Sequence, residues 1–229
     1  MKTKLPNRPL IVHLNEITQR YEPRLGNAIL MANVTRAQLQ MLAKQIYLQE
    51  RYPSHIAQVY LNLDAKGLDD TSLIRYIISI IRAENLGVGG HGITHAALAK
   101  RFALAVGVST EDLLTAEPTP PNKVLMDWCD ASALDRTWLD SLAVQVACES
   151  QIETMRSVAR GLRRNYDLEP GALRFWQLHG GALERSHMNT GLAFLAKYTD
   201  ATTIESLFYV YEITCQLLKT FYDSPLEPK

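Results

Sequence analysis

The 229-residue sequence carries no excess of either charge, because Lys and Arg number 24 and Asp and Glu also number 24. A neutral chain has no electrostatic footprint for nucleic acid or for an anionic membrane surface. The longest apolar run, residues 102–108, is much too short to span a bilayer. We therefore expect neither a nucleic-acid partner nor a membrane segment.

Cysteine is scarce, and its placement does not suggest a disulfide framework. The three cysteines, Cys129, Cys148 and Cys215, are odd in number, far apart, and form no Cys-x-x-Cys motif. This usage favours reduced thiols in a cytoplasmic protein. The first nine residues are polar and include two prolines, and the apolar piece after them is too short for a signal peptide. We expect a cytoplasmic protein.

Strand signals are nearly absent, whereas helical periodicity runs along the whole chain. The length suits one helical domain over residues 1–229, with 1–8 and 224–229 as flexible ends. The expected fold is an all-α bundle of seven to eight helices. The pattern predicts helices over residues 10–21, 35–63 with a kink at Pro53, 71–84, 94–106, a short stretch capped by Ser109, 122–129, 135–166, 170–199 and 202–223.

Two glutamates lie on apolar helix faces. Glu84 follows Ile77 by seven residues, and Glu149 follows Leu142 by seven. Burying an ionised carboxylate costs free energy unless it is paired or coordinates a metal. Two of them facing one core therefore indicate a cation-binding site. The alternatives are a solvated helix end for Glu84 and, for Glu149, an ion pair with Arg156 or Arg160 on its own face.

Histidines and a further glutamate complete a candidate metal site. His179 and His187 each follow an apolar residue by four positions, and Glu184 precedes His187 by three. A Glu-x-x-His motif places a carboxylate and an imidazole one turn apart, as in helical di-iron and di-manganese proteins. A single core histidine more often only donates a hydrogen bond, so the prediction depends on the whole set. The six candidate ligands are Glu84, His95, Glu149, His179, Glu184 and His187.

The spacing from His179 to Glu184 does not fit a regular helix. Residues five apart are rotated by about 140° from one another, so the two side chains would not share a face. One extra residue in a turn, a π-bulge, would restore the alignment. Gly180 and Gly181 tolerate such a distortion. We predict a bulge or kink within residues 179–184.

Three segments resemble one known family. Residues 95–108 are similar to its His-x-x-Leu-x-x-x-Phe-x-x-Ala-Leu-Gly stretch, residues 149–152 contain its second carboxylate, and residues 179–187 resemble its closing His-x3-Asp-x2-His motif. Over roughly residues 35–198 the chain thus resembles the heme-oxygenase-like di-iron oxidases. Their fold is shared with the thiaminase-II-like (TenA) and PQQ-synthase-like proteins.

Within that family the chain resembles most the branch of the chlamydial death-domain-associating protein, a para-aminobenzoate-forming oxygenase. Glu117-Pro118-Thr119 and Trp128-Cys129 are similar to segments of that branch. The resemblance implies two Fe(II) ions and O2 as co-substrate. It also implies the ligands Glu84, His95, Glu149, His179, Glu184 and His187.

The chain departs from this branch in three ways. The link between Glu84 and His95 is four residues longer and brings in His91 as an alternative to His95. Glu184 replaces an aspartate, with one residue inserted before it. The tyrosine and lysine of the para-aminobenzoate branch are missing, since Gly26 and Ala159 fall near those positions. The last departure argues against para-aminobenzoate synthesis and for an externally supplied substrate.

The resemblance implies an O2-dependent oxidase acting on a small amino-acid-like substrate. We expect a tryptophan-like molecule, with oxidative C–C bond cleavage or nitrile formation. Arg160, Tyr60 and Trp176 are the candidate substrate contacts, with a solvated face or core packing as their alternatives. The sequence leaves open whether the protein uses an external electron donor and whether it forms a homodimer. The rival functions are a cofactorless thiaminase-II-like hydrolase using Cys148 and a non-catalytic helical interaction protein.

Overall fold

The computed structural model describes residues 7–51, 70–88 and 92–227. Over these residues the chain forms helices and short connections, with no β-strand, so the all-α prediction is confirmed. The helices are α1 (Asn7–Arg20), α2 (Leu25–Leu30), α3 (Arg36–Arg51), α4 (Thr71–Leu86), α5 (His95–Ala105), α6 (Thr110–Leu114), α7 (Pro120–Asp135), α8 (Trp138–Glu149), α9 (Ile152–Asn165), α10 (Arg174–His179), α11 (Ala182–Tyr198) and α12 (Ile204–Asp223), with 3₁₀ turns at Pro170–Leu173 and Ser224–Leu226.

Some predicted features cannot be compared with the structure, and one terminal expectation differs. The continuation of the second predicted helix to residue 63, its kink at Pro53, Tyr60 and His91 lie outside the described residues. Ser224–Leu226, expected within a flexible end, form a 3₁₀ turn after α12. No helix in the described part of the chain is both long and apolar enough to cross a membrane.

Capping residues fix the connection between α4 and α5. The Asp70 carboxylate accepts hydrogen bonds from the first turn of α4, and the Thr94 hydroxyl accepts one from α5. Gly87 ends α4 with φ +66°, a left-handed conformation that favours glycine. Glu84 therefore lies in the last turn of α4, and His95 is the first residue of α5.

The prediction of one helix over residues 135–166 is wrong, because the chain breaks after Glu149. Ser150 and Gln151 separate α8 from α9. The Ser150 hydroxyl donates to the Ala147 carbonyl at 2.7 Å, a local bond that competes with continued helix. The Thr18 hydroxyl of α1 donates to Ser150 Oγ at 3.3 Å, so a distant helix holds the break.

The prediction of one helix over residues 170–199 is also wrong, although its distortion was predicted. A 3₁₀ turn leads into α10, and Gly180 and Gly181 separate α10 from α11. Gly181 has extended backbone, with φ −90° and ψ −171°. The bulge or kink predicted within residues 179–184 is confirmed and takes the form of a complete break. The described residues accordingly contain more helices than the seven to eight expected.

The helices pack around two hydrophobic clusters. Helices α1, α4, α8 and α11 form the first cluster, while α2, α3, α5, α9 and α10 form the second, and α7 and α12 contribute to both. Cys129 and Cys148 pack against both clusters. Helix α9 approaches α2 closely at Gly161, where a Cβ atom would lie 2.7 Å from the Leu30 nitrogen. The candidate metal ligands come from helices of both clusters.

Candidate metal centre

The first group of candidate ligands joins the ends of three helices. Glu50 lies near the end of α3, Glu84 near the end of α4 and His95 at the start of α5. One ligand atom from each lies within 4.8 Å of the other two. Glu84 Oε2 contacts His95 Nδ1 directly, and the His95 side chain is 2% exposed. Two carboxylates and one imidazole thus converge on a single point.

Glu50 is the ligand that sequence reasoning missed. It follows the buried residues Ala43 and Ile46 by seven and four positions, so it lies on the buried face of α3. That spacing is the same signal that identified Glu84 and Glu149. The predicted helix ran past Glu50 to residue 63, so Glu50 did not stand out as the end of an apolar stripe.

The second group lies on both sides of the break at Gly180 and Gly181. His179 ends α10, and Glu184 and His187 lie in the first two turns of α11. His179 Nδ1 is 3.8 Å from Glu184 Oε2, a proximity that an unbroken helix would not allow. The rings of His179 and His95 lie 4.6 Å apart, so the two groups adjoin.

Glu149 ends α8 and is held by its own helix. Gln145, one turn earlier, donates from Nε2 to Glu149 Oε1 at 2.7 Å. The other carboxylate oxygen, Oε2, is buried and has no hydrogen-bond partner. The Tyr76 hydroxyl is also buried, and it lies near enough that the Glu149 charge, second to burial, raises the Tyr76 pKa. The free oxygen of Glu149 is available to a cation.

Buried ligand atoms without partners occur throughout the site. Buried polar atoms are normally hydrogen-bonded, and leaving one unpaired costs about 1–3 kcal/mol. A metal ion would satisfy such atoms, and imidazoles mixed with carboxylates suit iron or manganese. Two divalent cations would also balance the charge of four carboxylates. The unpartnered atoms are His95 Nε2, Glu149 Oε2, His179 Nε2, Glu184 Oε1 and His187 Nδ1. The residues present fit a two-metal site.

Protonation states show how strongly the carboxylates repel one another without a cation. Burial, together with the charge of Glu84, raises the pKa of Glu50 to about 7. Burial and the charge of Glu184 raise the pKa of Glu149 well above its usual range. Burial opposes the charge on His179, but the nearby carboxylates of Glu184, Glu50 and Glu84 together outweigh it and raise the pKa of His179 to about 9. The metal-free site therefore holds protons at neutral pH that metal binding would displace.

Glu84 and His187 have pKa values shifted in the other direction. Burial opposes ionisation of Glu84, but the hydrogen bond from His95 and the His95 charge outweigh it and lower the Glu84 pKa. Burial lowers the pKa of His187, which favours the neutral imidazole. An ionised carboxylate and a neutral imidazole are the forms that bind a metal.

A cavity of about 440 Å³ opens beside the site. Five candidate ligands line it, namely Glu50, Glu84, Glu149, His179 and Glu184. Its apolar walls include Met155, Phe175 and Leu218, and the exposed residues Asp127 and Asp130 mark its mouth. No lysine or arginine is among the described residues that line it. Cavities of this size accept small molecules.

Two of the three substrate contacts predicted from the sequence, Trp176 and Arg160, do not line this cavity. Trp176 is fully buried and packs edge-on against Phe102 and Phe175, so it belongs to the second hydrophobic cluster. Arg160 lies on the exposed side of α9, where it donates to Ser157 Oγ. The third predicted contact, Tyr60, lies outside the described residues, as does His91.

Comparison with known proteins places all seven candidate ligands inside one family match. A family model described as an iron-containing redox enzyme matches residues 41–217. A 4-aminobenzoate synthase from Chlamydia muridarum is 29% identical over 206 residues, which cover 85% of this chain and 79% of that protein. This agrees with the resemblance found in the sequence.

Two solved structures show the same fold. A CADD-like protein of unknown function from Nostoc punctiforme has a TM-score of 0.77 at 13% identity, covering 96% of each chain. A domain of unknown function with a heme oxygenase-like fold, from Shewanella denitrificans, has a TM-score of 0.73 at 14% identity, covering 96% of this chain and 89% of that one. The expected heme-oxygenase-like fold is confirmed.

Proposed function

We propose that this chain, which belongs to the family of iron-containing redox enzymes, is a non-heme di-iron oxidoreductase that uses O2 to oxidise a small amino-acid-like molecule. The observation that carries this proposal is the convergence of four glutamates and three histidines, of which His95, Glu149, His179, Glu184 and His187 have unpartnered ligand atoms. Buried polar groups without partners are rare unless they serve a function.

The two groups of side chains would each hold one iron. Glu50, Glu84 and His95 would bind the first, and His179, Glu184 and His187 the second. Glu149 is suited to both, because the charges of Glu184 and Glu84 both act on its carboxylate. When bound, two Fe(II) ions supply the electrons that activate O2.

The chain's own residues position and protect this centre. Gln145 fixes one oxygen of Glu149 and leaves the other facing the site. The Phe175 ring lies 4.5 Å from the His179 ring and restricts its orientation. Such supporting contacts set ligand geometry and shield the site from water. Protons on Glu50 and His179 would leave as the metal binds.

The cavity favours a substrate that combines a positive charge with an apolar body. Its mouth carries Asp130, which attracts a cationic amine, beside Asp127, which is paired with Lys123. Its interior offers Met155, Phe175 and Leu218. A tryptophan-like amino acid has this combination, and oxidative C–C cleavage or nitrile formation is the reaction we propose. Since Arg160 is not at the cavity, the amine rather than the carboxylate would be the recognised end.

Para-aminobenzoate formation is not proposed, despite the related 4-aminobenzoate synthase. A Cβ at Gly26 would lie 3.0 Å from Ser157 Cβ, which leaves no room for the expected tyrosine side chain. Ala159 replaces the expected lysine and lies beside a surface groove with Arg160. Neither position supplies the reactive side chain of that branch.

The rival functions are less well supported. A hydrogen bond with Cys129 and burial raise the pKa of the Cys148 thiol well above its usual range. A nucleophilic cysteine needs the opposite shift, since the thiolate is the reactive form. A purely structural interaction protein would leave the buried, unpartnered ligand atoms without a purpose.

The function is tested by a search for iron- and O2-dependent turnover. Iron-loaded protein is incubated with a metabolite extract, with and without O2, and compounds that disappear are identified by mass spectrometry. We expect losses only with iron and O2 together, and none in a Glu149→Gln variant. Glu169→Gln, at an exposed position, is the matched control. Turnover that persists without iron and stops in Cys148→Ala would instead establish the hydrolase.

A further inference from the structure

Two thiols face the cavity that adjoins the metal centre. Cys129 of α7 and Cys148 of α8 both line it and pack against both hydrophobic clusters, and Cys129 is the group that most strongly raises the pKa of the Cys148 thiol. Both cysteines are free and partly buried. We propose that Cys129 and Cys148 form a redox-active dithiol that returns electrons to the iron site, an inference that rests on the proposed function.

The placement of the two thiols gives the pair an inner and an outer member. Cys148 is the inner thiol, because its side chain interacts electrostatically with the candidate ligands Glu84 and Glu149. Cys129 lies between Asp127 and Asp130, the exposed residues at the cavity mouth. An external thiol reductant would therefore reach Cys129 first, and the Cys148 sulfur would remain next to the irons.

The third cysteine, Cys215, has the environment of a purely structural thiol. Cys215 is fully buried in the first hydrophobic cluster and is not among the residues that line the cavity. Buried structural cysteines are inert, whereas reactive ones are accessible. Cys215 therefore serves as an internal reference for any thiol measurement.

Electron counting gives the pair a role. Reduction of O2 to two waters takes four electrons and four protons. A two-electron oxidation of the substrate, as in an oxidative C–C bond cleavage, would supply only half of the electrons, and bound iron would have to supply the other two. The Cys129 and Cys148 thiols would then lose two protons and two electrons as the S–S bond forms. Those electrons would restore the ferrous state, and the protons would go to solvent.

An external dithiol completes the cycle. Its thiolate attacks the Cys129 sulfur, the S–S bond breaks, and the Cys148 thiolate leaves and takes up a proton. The second thiol of the reductant then releases Cys129 and leaves as its own disulfide. This assigns a chemical class, a small or protein dithiol, to the external electron donor that the sequence left open.

The first arm of the test uses metal-free protein. The chain is equilibrated in EDTA with dithiothreitol buffers of increasing oxidised fraction, then denatured, alkylated and mapped by mass spectrometry. We expect free thiols to fall from three to one, with a Cys129–Cys148 disulfide and Cys215 alkylated throughout. Retention of all three thiols under fully oxidising conditions would overturn the proposal without affecting the metal site.

The second arm uses iron-loaded protein without external reductant. After reaction with O2, wild-type protein is expected to lose two thiols while ferrous iron returns, as measured with a ferrous chelator. Cys129→Ser and Cys148→Ser variants should bind the same amount of iron and stay ferric. If the variants recover ferrous iron as fast as wild type does, the dithiol is not the donor. If no protein binds iron, the proposed function fails as well, and the first arm still reports on the thiol pair.

Discussion

Replacing Glu50 by glutamine should stabilise the metal-free protein and lower its affinity for iron. The burial of Glu50 and the charge of Glu84 raise the pKa of Glu50 from 4.5 to about 7. Holding this group ionised in the folded protein therefore costs up to about 3 kcal/mol, at 1.36 kcal/mol for each pH unit. Glutamine has nearly the same shape and no charge, so the variant avoids this cost.

The size of the effect depends on pH. Below pH 4.5 Glu50 is protonated in both the folded and the unfolded chain, so charge repulsion does not distinguish wild type from Glu50→Gln. As the pH rises from 4.5 to about 7, the unfolded chain loses the proton first, and the wild type loses stability relative to the variant. Above about pH 7 the full difference is present.

Urea denaturation in EDTA at pH 5 and pH 8 measures this difference. At pH 8 we expect the Glu50→Gln variant to be more stable by up to about 3 kcal/mol, or about 6–12 °C in Tm for a chain of this size. At pH 5 most of the difference should vanish. Glu169→Gln, at an exposed position, should show no such pH dependence.

Adding Fe(II) anaerobically should offset most of the stability advantage of the Glu50→Gln variant. A ligand at 100 times its Kd stabilises the folded state by about 2.7 kcal/mol, and the variant would lose much of this gain. The reasoning is refuted if Glu50→Gln is less stable than wild type at pH 8 in EDTA. It is equally refuted if iron stabilises both proteins alike.

Two further predictions concern packing and ligand support. Gly161→Ala would place a Cβ 2.7 Å from the Leu30 nitrogen, so an overpacking cost of about 1–3 kcal/mol should exceed the helix-propensity gain of about 1 kcal/mol. Gly171→Ala, whose Cβ would meet only a side-chain oxygen at 3.7 Å, is the control, and equal thermal stability of the two variants would contradict the prediction. Gln145→Leu removes the hydrogen bond to Glu149 and should lower iron affinity about 10–100-fold, as measured by titration. Unchanged affinity would show that Gln145 does not orient this ligand.

Much of the site could be predicted because its ligands follow apolar stripes. Glu84 and Glu149 continue the buried faces of their helices, and the predicted break at Gly180 and Gly181 brings His179 to Glu184. Glu50 has the same spacing from buried apolar residues. It lies inside a helix that was predicted to continue to residue 63, however, so nothing in the sequence marked it as a ligand at a helix end. The spacing of apolar residues identifies the buried face of each helix. It does not show which residues of different helices meet at the same metal site.

Other features depend on tertiary contacts that the sequence does not display. The break after Glu149 has no glycine or proline, and it is held partly by the Thr18 hydroxyl on Ser150. Trp176 is predicted at the substrate as an aromatic pocket residue, and Arg160 as a partner for a substrate carboxylate. The packing of α9 and α10 instead turns one into the core and the other to solvent.

The central claim is that these residues hold two irons, and anaerobic Fe(II) titration tests it most directly. The account predicts two irons per wild-type chain and the same number for Glu169→Gln. It predicts loss of one iron or more in His95→Ala and in His187→Ala, which remove an imidazole from each group. A wild-type chain that binds no iron, or variants that keep both, would contradict it.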